Sequence, residues 1–242
     1  MYGVRAVDEA LAAGEPLVSV HIGKDRSRDH AVRRLIETAQ SRDIPLRFED
    51  ASYFAQFPYK AHQHIVAFGP PFDYAALEQI VHGKRRGPLL IVVLDHITDP
   101  HNTGAILRTA EAAGAEGAVI PERRAAGVNP TVRKAAAGAT AHLPIARVTN
   151  VAQTLRVLKK SGVWIVGADA GSEDGRALAH TTVDWTRDLA IVIGAEDVGI
   201  SRVTRAECDE LVHIPMHGKV KSLNASVAAA VLLYEAVRQR GG

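Results

Sequence analysis

Three polar, glycine-containing segments could carry chemistry, because each follows an apolar run that is typical of a buried strand. They are residues 95–104, 194–199 and 214–226. In open α/β sheets, ligands bind beyond the carboxyl ends of the strands, so loops at these places are candidate binding loops. The sequence contains neither a Gly-x-Gly-x-x-Gly motif after a strand nor a Walker-type phosphate loop, which disfavours a dehydrogenase or an NTPase.

The first two segments each lead to one charged side chain. Arg108 lies six residues after Asn102, the predicted N-cap of a helix, and its guanidinium could donate two hydrogen bonds to a phosphate or a ribose. Glu196 follows Gly194, where the missing side chain lets a ligand approach the backbone closely. Taken singly, the first pattern is also typical of a capped helix with one exposed arginine. The second is also typical of a simple turn.

The third segment places small polar residues before a long closing helix, predicted over 224–239. Ser222, Asn224 and Ser226 lie where free backbone N–H groups and the helix dipole favour anions, although capping needs only one of them. One face of this helix carries an apolar stripe of Val227, Val231, Tyr234 and Val237. The stripe suits core packing and also a contact between two copies of the chain.

The elements that must position these segments form two α/β domains, residues 1–69 and 89–242, joined by a linker at 70–88 that begins with two prolines. The first domain is predicted to have helices at 4–13, 29–41 and 51–56 and strands at 17–22, 45–48 and 65–68. A short helix is predicted at 72–81. The second domain is predicted to have strands at 89–94, 117–120, 163–168, 189–193 and 210–214 and helices at 104–113, 130–137, 151–161 and 224–239. Its continuous apolar strands indicate a mostly parallel sheet covered on both faces.

Composition limits the protein classes further. The 29 Lys+Arg and 27 Asp+Glu residues give a net charge of +2, and both domains are nearly neutral, so a nucleic-acid surface would have to be a local basic patch. Five Phe, five Tyr and two Trp do not indicate an aromatic base-stacking platform. The single cysteine, Cys208, excludes an intramolecular disulfide and a Cys-rich zinc site. We expect it to be an inert helix residue.

No secretory signal or membrane span is expected. Residues 1–17 include Asp8 and Glu9 and lack a long apolar core, and no run approaches the roughly 20 apolar residues of a membrane helix. A cytoplasmic protein without membrane contact is therefore predicted.

The three segments, in this order and at these spacings, resemble the motifs of the SpoU (TrmH) family of RNA ribose 2′-O-methyltransferases, in the SPOUT superfamily. The similar strings are Asn102-x-Gly104-x3-Arg108-Thr109-x4-Gly114 for motif 1, Gly194-x-Glu196-x2-Gly199 for motif 2, and Ile214-Pro215-Met216-x-Gly218-x3-Ser222-Leu223-Asn224-x-Ser226 followed by Tyr234-Glu235 for motif 3. Ala225 stands where the family usually has valine, which removes packing but no polar group. Lys219 and Lys221 make the third loop more basic than the family pattern.

Three further segments resemble one subgroup, the 23S rRNA guanosine-2′-O-methyltransferases that act on the peptidyl-transferase loop. They are Tyr2-Gly3-Val4-x-Ala6-Val7-x2-Ala10-Leu11-x2-Gly14, His62-Gln63-x-Ile65-Val66-Ala67 and Ala137-Gly138-Ala139-Thr140-x-His142-Leu143-Pro144. The resemblance implies an α/β protein with an L30e-like RNA-binding domain over 1–69. It also implies a SPOUT catalytic domain over 89–242, with a parallel sheet and a carboxyl-terminal trefoil knot, and a homodimer.

The resemblance implies S-adenosylmethionine as methyl donor and the ribose 2′-hydroxyl of a guanosine as acceptor. Arg108 is implied as the central catalytic residue; because an arginine is a poor base at neutral pH, we assign it phosphate anchoring and stabilisation of the 2′-oxyanion. We expect Glu196 to orient the guanidinium, Asn102 to fix the acceptor ribose or its own loop, and Ser222 and Asn224 to complete the catalytic group. The residues implied to bind the cofactor are Gly167, Ala168, Gly194, Gly199, Ile214, Met216, Ser222 and Leu223.

The basic residues expected to contact 23S rRNA are Arg26, Arg28, Lys84, Arg85, Arg86, Arg123, Arg124, Arg133, Lys134, Lys219 and Lys221. Such local patches predict binding that weakens with salt and selectivity for RNA shape and a splayed nucleotide. No catalytic metal is expected, and His96, His101 and His217 are expected to be loop or RNA-contact residues. Two alternatives stay open: a family member that acts on tRNA or another rRNA site, and a non-catalytic RNA-binding relative.

Overall fold

The computed structural model describes residues 1–57, 62–85, 87–169, 177–220 and 222–241 and divides the chain into two compact units, 1–72 and 73–242. The division lies inside the predicted linker. Part of that linker packs onto the second unit, since the Ala75 N–H donates to the Ile145 carbonyl at 2.9 Å and Ile80 and Val81 are buried. The helix predicted at 72–81 therefore spans only Leu77–Val81, because the residues before it lie extended beside the sheet.

The first unit is a small α/β fold. Its elements are α1 (Val4–Ala12), β1 (Ser19–Gly23), α2 (His30–Ser41), β2 (Leu46–Glu49), α3 (Ala51–Phe54) and β3 (Ile65–Phe68). The sheet has the order β2-β1-β3, with β2 parallel and β3 antiparallel to β1. Val7 and Leu11 of α1 and Val32 and Leu35 of α2 pack with the alternate strand residues on one sheet face, as the apolar periodicity predicts.

The other side of β1 carries a ring cluster that the aromatic content did not indicate. Ring contacts of 5.0–6.4 Å join His21, Tyr53, Phe54, Phe57, His62, His64 and Phe68. Within the cluster, His21 Nδ1 lies 3.0 Å from Glu49 Oε1, and His64 Nδ1 lies 2.9 Å from Asp25 Oδ2. Phe54 and His62 are buried, so much of the cluster is a second small core.

The second unit alternates strands and helices. Its elements are α4 (Leu77–Val81), β4 (Leu90–Asp95), α5 (Pro100–Ala112), β5 (Gly117–Pro121), α6 (Pro130–Ala135), β6 (Ile145–Val148), α7 (Val151–Lys160), β7 (Trp164–Ala168), β8 (Leu178–Ala179), β9 (Leu189–Gly194), α8 (Arg202–Arg205), β10 (Glu210–His213) and α9 (Ala225–Gln239). Among the described residues the strands lie in the order β6-β5-β4-β9-β7-β10-β8, and every pairing is parallel. Every residue of β4 is buried, which confirms the prediction of a sheet covered on both faces.

Helix α5 begins four residues before its predicted start. The carboxylate of Asp99 accepts hydrogen bonds from the backbone N–H groups of His101 (3.0 Å) and Asn102 (3.2 Å). Pro100 fits the first helical position, because an N–H at that position would have no acceptor within the helix and proline has none. The prediction that Asn102 is the N-cap is therefore wrong. The caps predicted at Asn129 and Asn150 are confirmed.

Gly104 explains how α6 reaches α5. A Cβ at this position would lie 2.5 Å from Ala135 Cβ and 2.6 Å from the Val132 carbonyl oxygen, so the two helices cross at a point that only glycine allows. The crossing holds α6 beside the helix that carries Asn102 and Arg108. None of the helices in the described ranges is both long and apolar enough to cross a bilayer.

Candidate active site

A cleft of about 380 Å³ opens where β7, β9 and β10 end. These strands are neighbours in a parallel sheet, so the loops that follow them leave from one edge. Apolar side chains of Ile193, Val212 and Leu232 line the cleft together with the carboxylates of Asp169 and Glu196. Asp169 is ion-paired with Arg205 at 3.0 Å. An apolar cleft with a few fixed polar groups is the usual form of a small-molecule site.

The structure brings together all but one of the residues predicted to bind a cofactor. Those that line the cleft are Ala168, Gly194, Gly199, Ile214, Met216, Ser222 and Leu223. Gly167 does not line it. A Cβ on Gly167 would meet Cys208, Ile200 and Leu211, so this residue faces the packed side of β7, and the strand pleat turns the next residue, Ala168, to the cleft.

Glu196 joins three parts of the chain through one carboxylate oxygen. Its Oε1 accepts hydrogen bonds from Asn102 Nδ2 at 2.9 Å, from Asn224 Nδ2, and from the Ala225 backbone N–H at 3.3 Å. Asn224 Nδ2 also donates to Asn102 Oδ1 at 3.0 Å. We call Asn102, Glu196 and Asn224 the amide–carboxylate cluster.

Asn224 has a second role at the start of α9. Its Oδ1 accepts from the Ser226 backbone N–H at 2.9 Å and from the Ser226 hydroxyl at 2.6 Å. The side chain therefore caps the helix with its oxygen and binds the cluster with its nitrogen. Of the three polar residues that could cap α9, Asn224 is the one that does so, and its second bond gives it a role beyond capping.

Arg108 is exposed on α5 and makes no hydrogen bond or ion pair within the described ranges. The prediction that Glu196 orients this guanidinium is therefore wrong, because the two side chains form neither a hydrogen bond nor an ion pair. At about 100° per residue, Arg108 points roughly 120° around the helix from Asn102, so the two side chains leave α5 on different faces. Ser222 is exposed and lines the cleft outside the amide–carboxylate cluster.

The basic residues fall into two groups. Arg26 and Arg85 are engaged within the protein, with Arg26 Nε 2.6 Å from Asp29 and Arg85 Nη1 3.0 Å from Asp188. The exposed ones that lack a carboxylate partner among the described residues are Arg28, Lys84, Arg123, Arg124, Arg133, Lys134 and Lys219. Arg86 and Lys221 lie outside the described residues. Arg123 and Arg124 follow β5, at the same sheet edge as the cleft.

Two carboxylates near the site were not singled out from the sequence. Asp95, the last residue of β4, is fully buried and accepts a hydrogen bond from the Ser201 backbone N–H at 2.7 Å. Asp169 lines the cleft directly after β7. The signal that could have found both is an acidic residue immediately after an apolar strand. Among the described residues, no group of three or more His, Cys, Asp or Glu side chains is arranged to hold a metal ion.

Substituting Gly194 should damage the cleft directly. A Cβ at Gly194 would overlap the backbone of Gly199 and Ile200, because the loop folds back onto the end of β9. We expect Gly194→Ala to weaken cofactor binding by about tenfold or more, as overpacking of a rigid backbone does. Calorimetric titration measures this. Gly87→Ala, whose new methyl group meets nothing within 4 Å, is the control and should bind as the wild type does.

Cys208 should be chemically inert. Burial, followed by the nearby Asp209 charge, raises the pKa of its thiol to about 12, so the reactive thiolate is scarce at neutral pH. We expect iodoacetamide at pH 8 to leave the folded protein active and to alkylate it rapidly only after unfolding in urea. Fast alkylation of the folded chain with loss of activity would contradict this assignment.

The fold and the site together define an α/β domain with a cleft of small-molecule size at the carboxyl edge of a parallel sheet, in a chain that also has a second, smaller α/β unit. Residues 89–234 match the SpoU rRNA Methylase family, and residues 1–75 match the family described as RNA 2′-O ribose methyltransferase substrate binding. The chain therefore belongs to the SpoU methylase family and is an RNA methyltransferase.

Individual relatives agree with this membership. A Bacillus subtilis (strain 168) protein named for the TrmH family of tRNA/rRNA methyltransferases is 41% identical over 98% of this chain and 94% of its own length. The SpoU methyltransferase AviRb from Streptomyces viridochromogenes, solved in complex with AdoMet, is 28% identical with a TM-score of 0.62, over 99% of this chain and 89% of that chain. The A. aeolicus TrmH/SpoU tRNA modifying enzyme is 32% identical with a TM-score of 0.57, over 67% and 80% respectively.

Proposed function

We propose that this protein transfers a methyl group from S-adenosylmethionine to the ribose 2′-hydroxyl of a guanosine in the peptidyl-transferase loop of 23S rRNA. The observation that carries the proposal is the position of Glu196 between two cavities. On one side is the 380 Å³ cleft, and on the other is a smaller polar pocket of about 110 Å³ lined by Thr98, Asp99 and Asn102. The linings of the two cavities share Ala195, Glu196, Asp197 and Ala225, so a donor and an acceptor bound there lie side by side.

The cleft fits S-adenosylmethionine, which is the methyl donor. Its apolar walls suit an adenine ring, and the Asp169 and Glu196 carboxylates suit hydroxyl and ammonium groups. When bound, S-adenosylmethionine supplies an electrophilic sulfonium methyl that the ribose 2′-oxygen attacks, with the electron pair of the carbon–sulfur bond leaving on sulfur. The residues of the chain supply position and charge, because such a displacement needs no covalent enzyme intermediate.

Arg108 acts on the acceptor. A guanidinium is a poor base, so Arg108 donates hydrogen bonds and does not take the hydroxyl proton. Because it is exposed and unpaired within the described ranges, it is available to bind an RNA phosphate. It lines neither cavity, so its stabilisation of negative charge on the 2′-oxygen is proposed from the motif resemblance. The proton of the hydroxyl then passes to water or to a neighbouring phosphate.

Glu196 and the two asparagines position the reaction. The expected role of Glu196 in orienting Arg108 is replaced here by a role in holding the loop after β9 against α5 and α9 through Asn102 and Asn224. Asn102 fixes this loop and borders the smaller polar pocket, which we propose receives the acceptor ribose. Ser222 borders the donor cleft.

RNA binding involves both units. The first unit, proposed as an L30e-like domain over 1–69, matches a substrate-binding family and exposes Arg28. The second exposes Lys84 and Lys219, Arg123 and Arg124 after β5, and Arg133 and Lys134 on α6. Because these patches are small, we propose binding through few phosphate contacts, with salt-sensitive affinity and selectivity from RNA shape.

We also propose that the protein is a homodimer with a trefoil knot near its carboxyl end. The outward face of α9 supports the dimer, since Val227 and Tyr234 are about half exposed on one stripe. The strand order supports the knot, since β9 lies between β4 and β7, and β10 lies between β7 and β8, although all of these neighbours precede them in the chain. Sedimentation velocity at micromolar concentration should give a dimer, and a monomer at that concentration would contradict the first proposal.

The substrate is tested by mass-spectrometric mapping of ribose methylation on 23S rRNA from cells that lack this protein. Loss of one 2′-O-methyl group on a guanosine in the peptidyl-transferase loop, restored by the wild-type gene, is the expected result. An intact methylation pattern on 23S rRNA would refute this substrate. The second candidate is a tRNA or another rRNA site, favoured by the A. aeolicus relative described as a tRNA modifying enzyme, and the same mapping on tRNA detects it.

Calorimetric titration with S-adenosylmethionine distinguishes the proposed enzyme from a non-catalytic RNA-binding relative. The intact cleft and amide–carboxylate cluster predict that the full chain binds S-adenosylmethionine with one site per chain. A flat titration would instead support a protein that kept the fold and lost the reaction.

A further inference from the structure

Asp95 is a completely buried carboxylate that the mechanism above does not use. Burying a carboxylate costs free energy unless hydrogen bonds compensate it. Both oxygens of Asp95 have partners: Oδ1 lies 2.6 Å from His96 Nδ1, and Oδ2 accepts the Ser201 backbone N–H at 2.7 Å. The second bond crosses 106 residues of sequence and reaches the end of the loop that carries Glu196.

Asp95 holds both ends of that loop. Its backbone is the register partner of Gly194, where β9 ends and the loop begins. Its side chain binds Ser201, where the loop ends and α8 is capped. Between these points the loop folds back on itself, and the Gly199 N–H donates to the Ala195 carbonyl at 2.8 Å. One residue of the neighbouring strand therefore closes the loop.

The closed loop forms a wall of the cleft and carries Glu196. Gly194, Gly199 and Glu196 all line the 380 Å³ cleft, and Glu196 also borders the smaller pocket. Because the side chains of Asp197 and Val198 are exposed, few packing contacts in the middle of the loop oppose its opening. The position of Glu196 then depends mainly on its own contacts and on the two fixed ends.

We infer that Asp95 is a positioning residue for the reaction: its carboxylate fixes the loop 194–201 in the shape that binds the methyl donor and places Glu196 between the two cavities. The inference rests on the proposed function for the identity of the ligand. Breaking the Asp95–Ser201 bond should weaken donor binding and slow methylation, while the sheet, whose β4–β9 pairing covers six residue pairs, stays formed.

Ser201 offers a matched pair of substitutions. Its φ of −59° is close to that of proline, so Ser201→Pro removes the N–H donor without a change of φ, and the ring Cδ displaces the Asp95 carboxylate that the N–H had bound. Both Ser201→Pro and Ser201→Ala remove the hydroxyl that accepts the Thr204 N–H at the start of α8. Only the proline also removes the hydrogen bond from the residue 201 N–H to Asp95. In calorimetric titration with S-adenosylmethionine, we expect Ser201→Pro to bind about tenfold more weakly than Ser201→Ala, since the lost bond is to a charged acceptor. Equal affinities for the two variants would overturn the inference.

The carboxylate side is tested by Asp95→Ala and Asp95→Asn, which also serve if the proline variant does not fold. The alanine should bind S-adenosylmethionine at least as weakly as Ser201→Pro, whereas the asparagine keeps an oxygen for Ser201 and should restore most of the affinity. Wild-type affinity of Asp95→Ala would overturn the inference.

Amide hydrogen exchange separates this inference from the proposed function. Ser201→Pro and Asp95→Ala should increase exchange over residues 195–200 and leave β4 and β9 protected, whether or not a ligand is present. If the wild type binds no S-adenosylmethionine but the two variants still exchange faster than the wild type over 195–200, the proposed function fails and the role of Asp95 in shaping the loop stands. If binding is normal and exchange is the same in all variants, the role of Asp95 fails alone.

Discussion

Replacing Arg108 by alanine should lower the single-turnover rate of RNA methylation by roughly 10²–10³-fold, the usual cost of removing one group that stabilises charge in a transition state. The guanidinium is exposed on α5, and it is not among the residues that line the donor cleft. Binding of S-adenosylmethionine should therefore stay at the wild-type value. Rapid-quench methylation of rRNA fragments with saturating enzyme gives the rate, and calorimetry gives the donor affinity.

Two variants make the Arg108 result specific. Arg108→Lys keeps the charge but loses the planar pair of donors, so we expect partial activity. Arg33→Ala removes an equally exposed arginine from α2 in the other unit and should leave the rate unchanged. An Arg108→Ala enzyme with near wild-type rate would show that this side chain does not act on the acceptor.

Arg240→Ala should cause a large loss of stability. The guanidinium of Arg240 donates to the backbone carbonyls of Trp185 (2.9 Å), Pro88 (2.8 Å), Leu89 (3.1 Å) and Arg187 (2.7 Å). Partial burial lowers its pKa, yet it remains charged near neutral pH. Removing it leaves several carbonyls without donors at the amino ends of β4 and β9. We expect a cost of about 2–4 kcal/mol and a decrease in Tm of roughly 5–15 °C.

Differential scanning calorimetry of the unfolding of the second unit measures this effect. Arg156→Ala is the matched control: its guanidinium binds a single carboxylate, Glu207, at the surface, and its loss should change Tm little. Arg240→Lys keeps the charge but has no planar fork to reach four carbonyls, so it should recover only part of the stability. Equal Tm values for Arg240→Ala and Arg156→Ala would refute the prediction that the hydrogen bonds of Arg240 to backbone carbonyls stabilise the second unit.

The sites of the two predictions lie at opposite ends of the same scaffold. Asn224 ties the start of α9 to Glu196 at the carboxyl edge of the sheet, and Arg240 ties its end to the amino edge. The last helix thus spans the sheet and is fixed at both ends. This arrangement keeps the amide–carboxylate cluster in place through contacts at both ends of one helix.

Local signals in the sequence predicted most elements correctly. The apolar runs of β4 and β9 fix buried strands, and Asn129 and Asn150 cap their helices as predicted, because such effects act within one turn or one strand. The start of α5 was misplaced because Asp99-Pro100 and Asn102 are competing caps three residues apart, and only the backbone geometry selects Asp99. The two-residue strand β8 is too short to give a periodic signal.

The two α/β units, the three polar loops and, through the motif spacings, the family could be predicted from the sequence alone. Which side chains meet depends on the tertiary structure. Glu196 binds Asn102 and Asn224, which are 94 and 28 residues away, because the parallel order β4-β9-β7-β10 brings loops from distant parts of the chain to one edge. The same order gives Asp95 its partner Ser201. Strand order depends on contacts between distant segments, and no local pattern of residues encodes it.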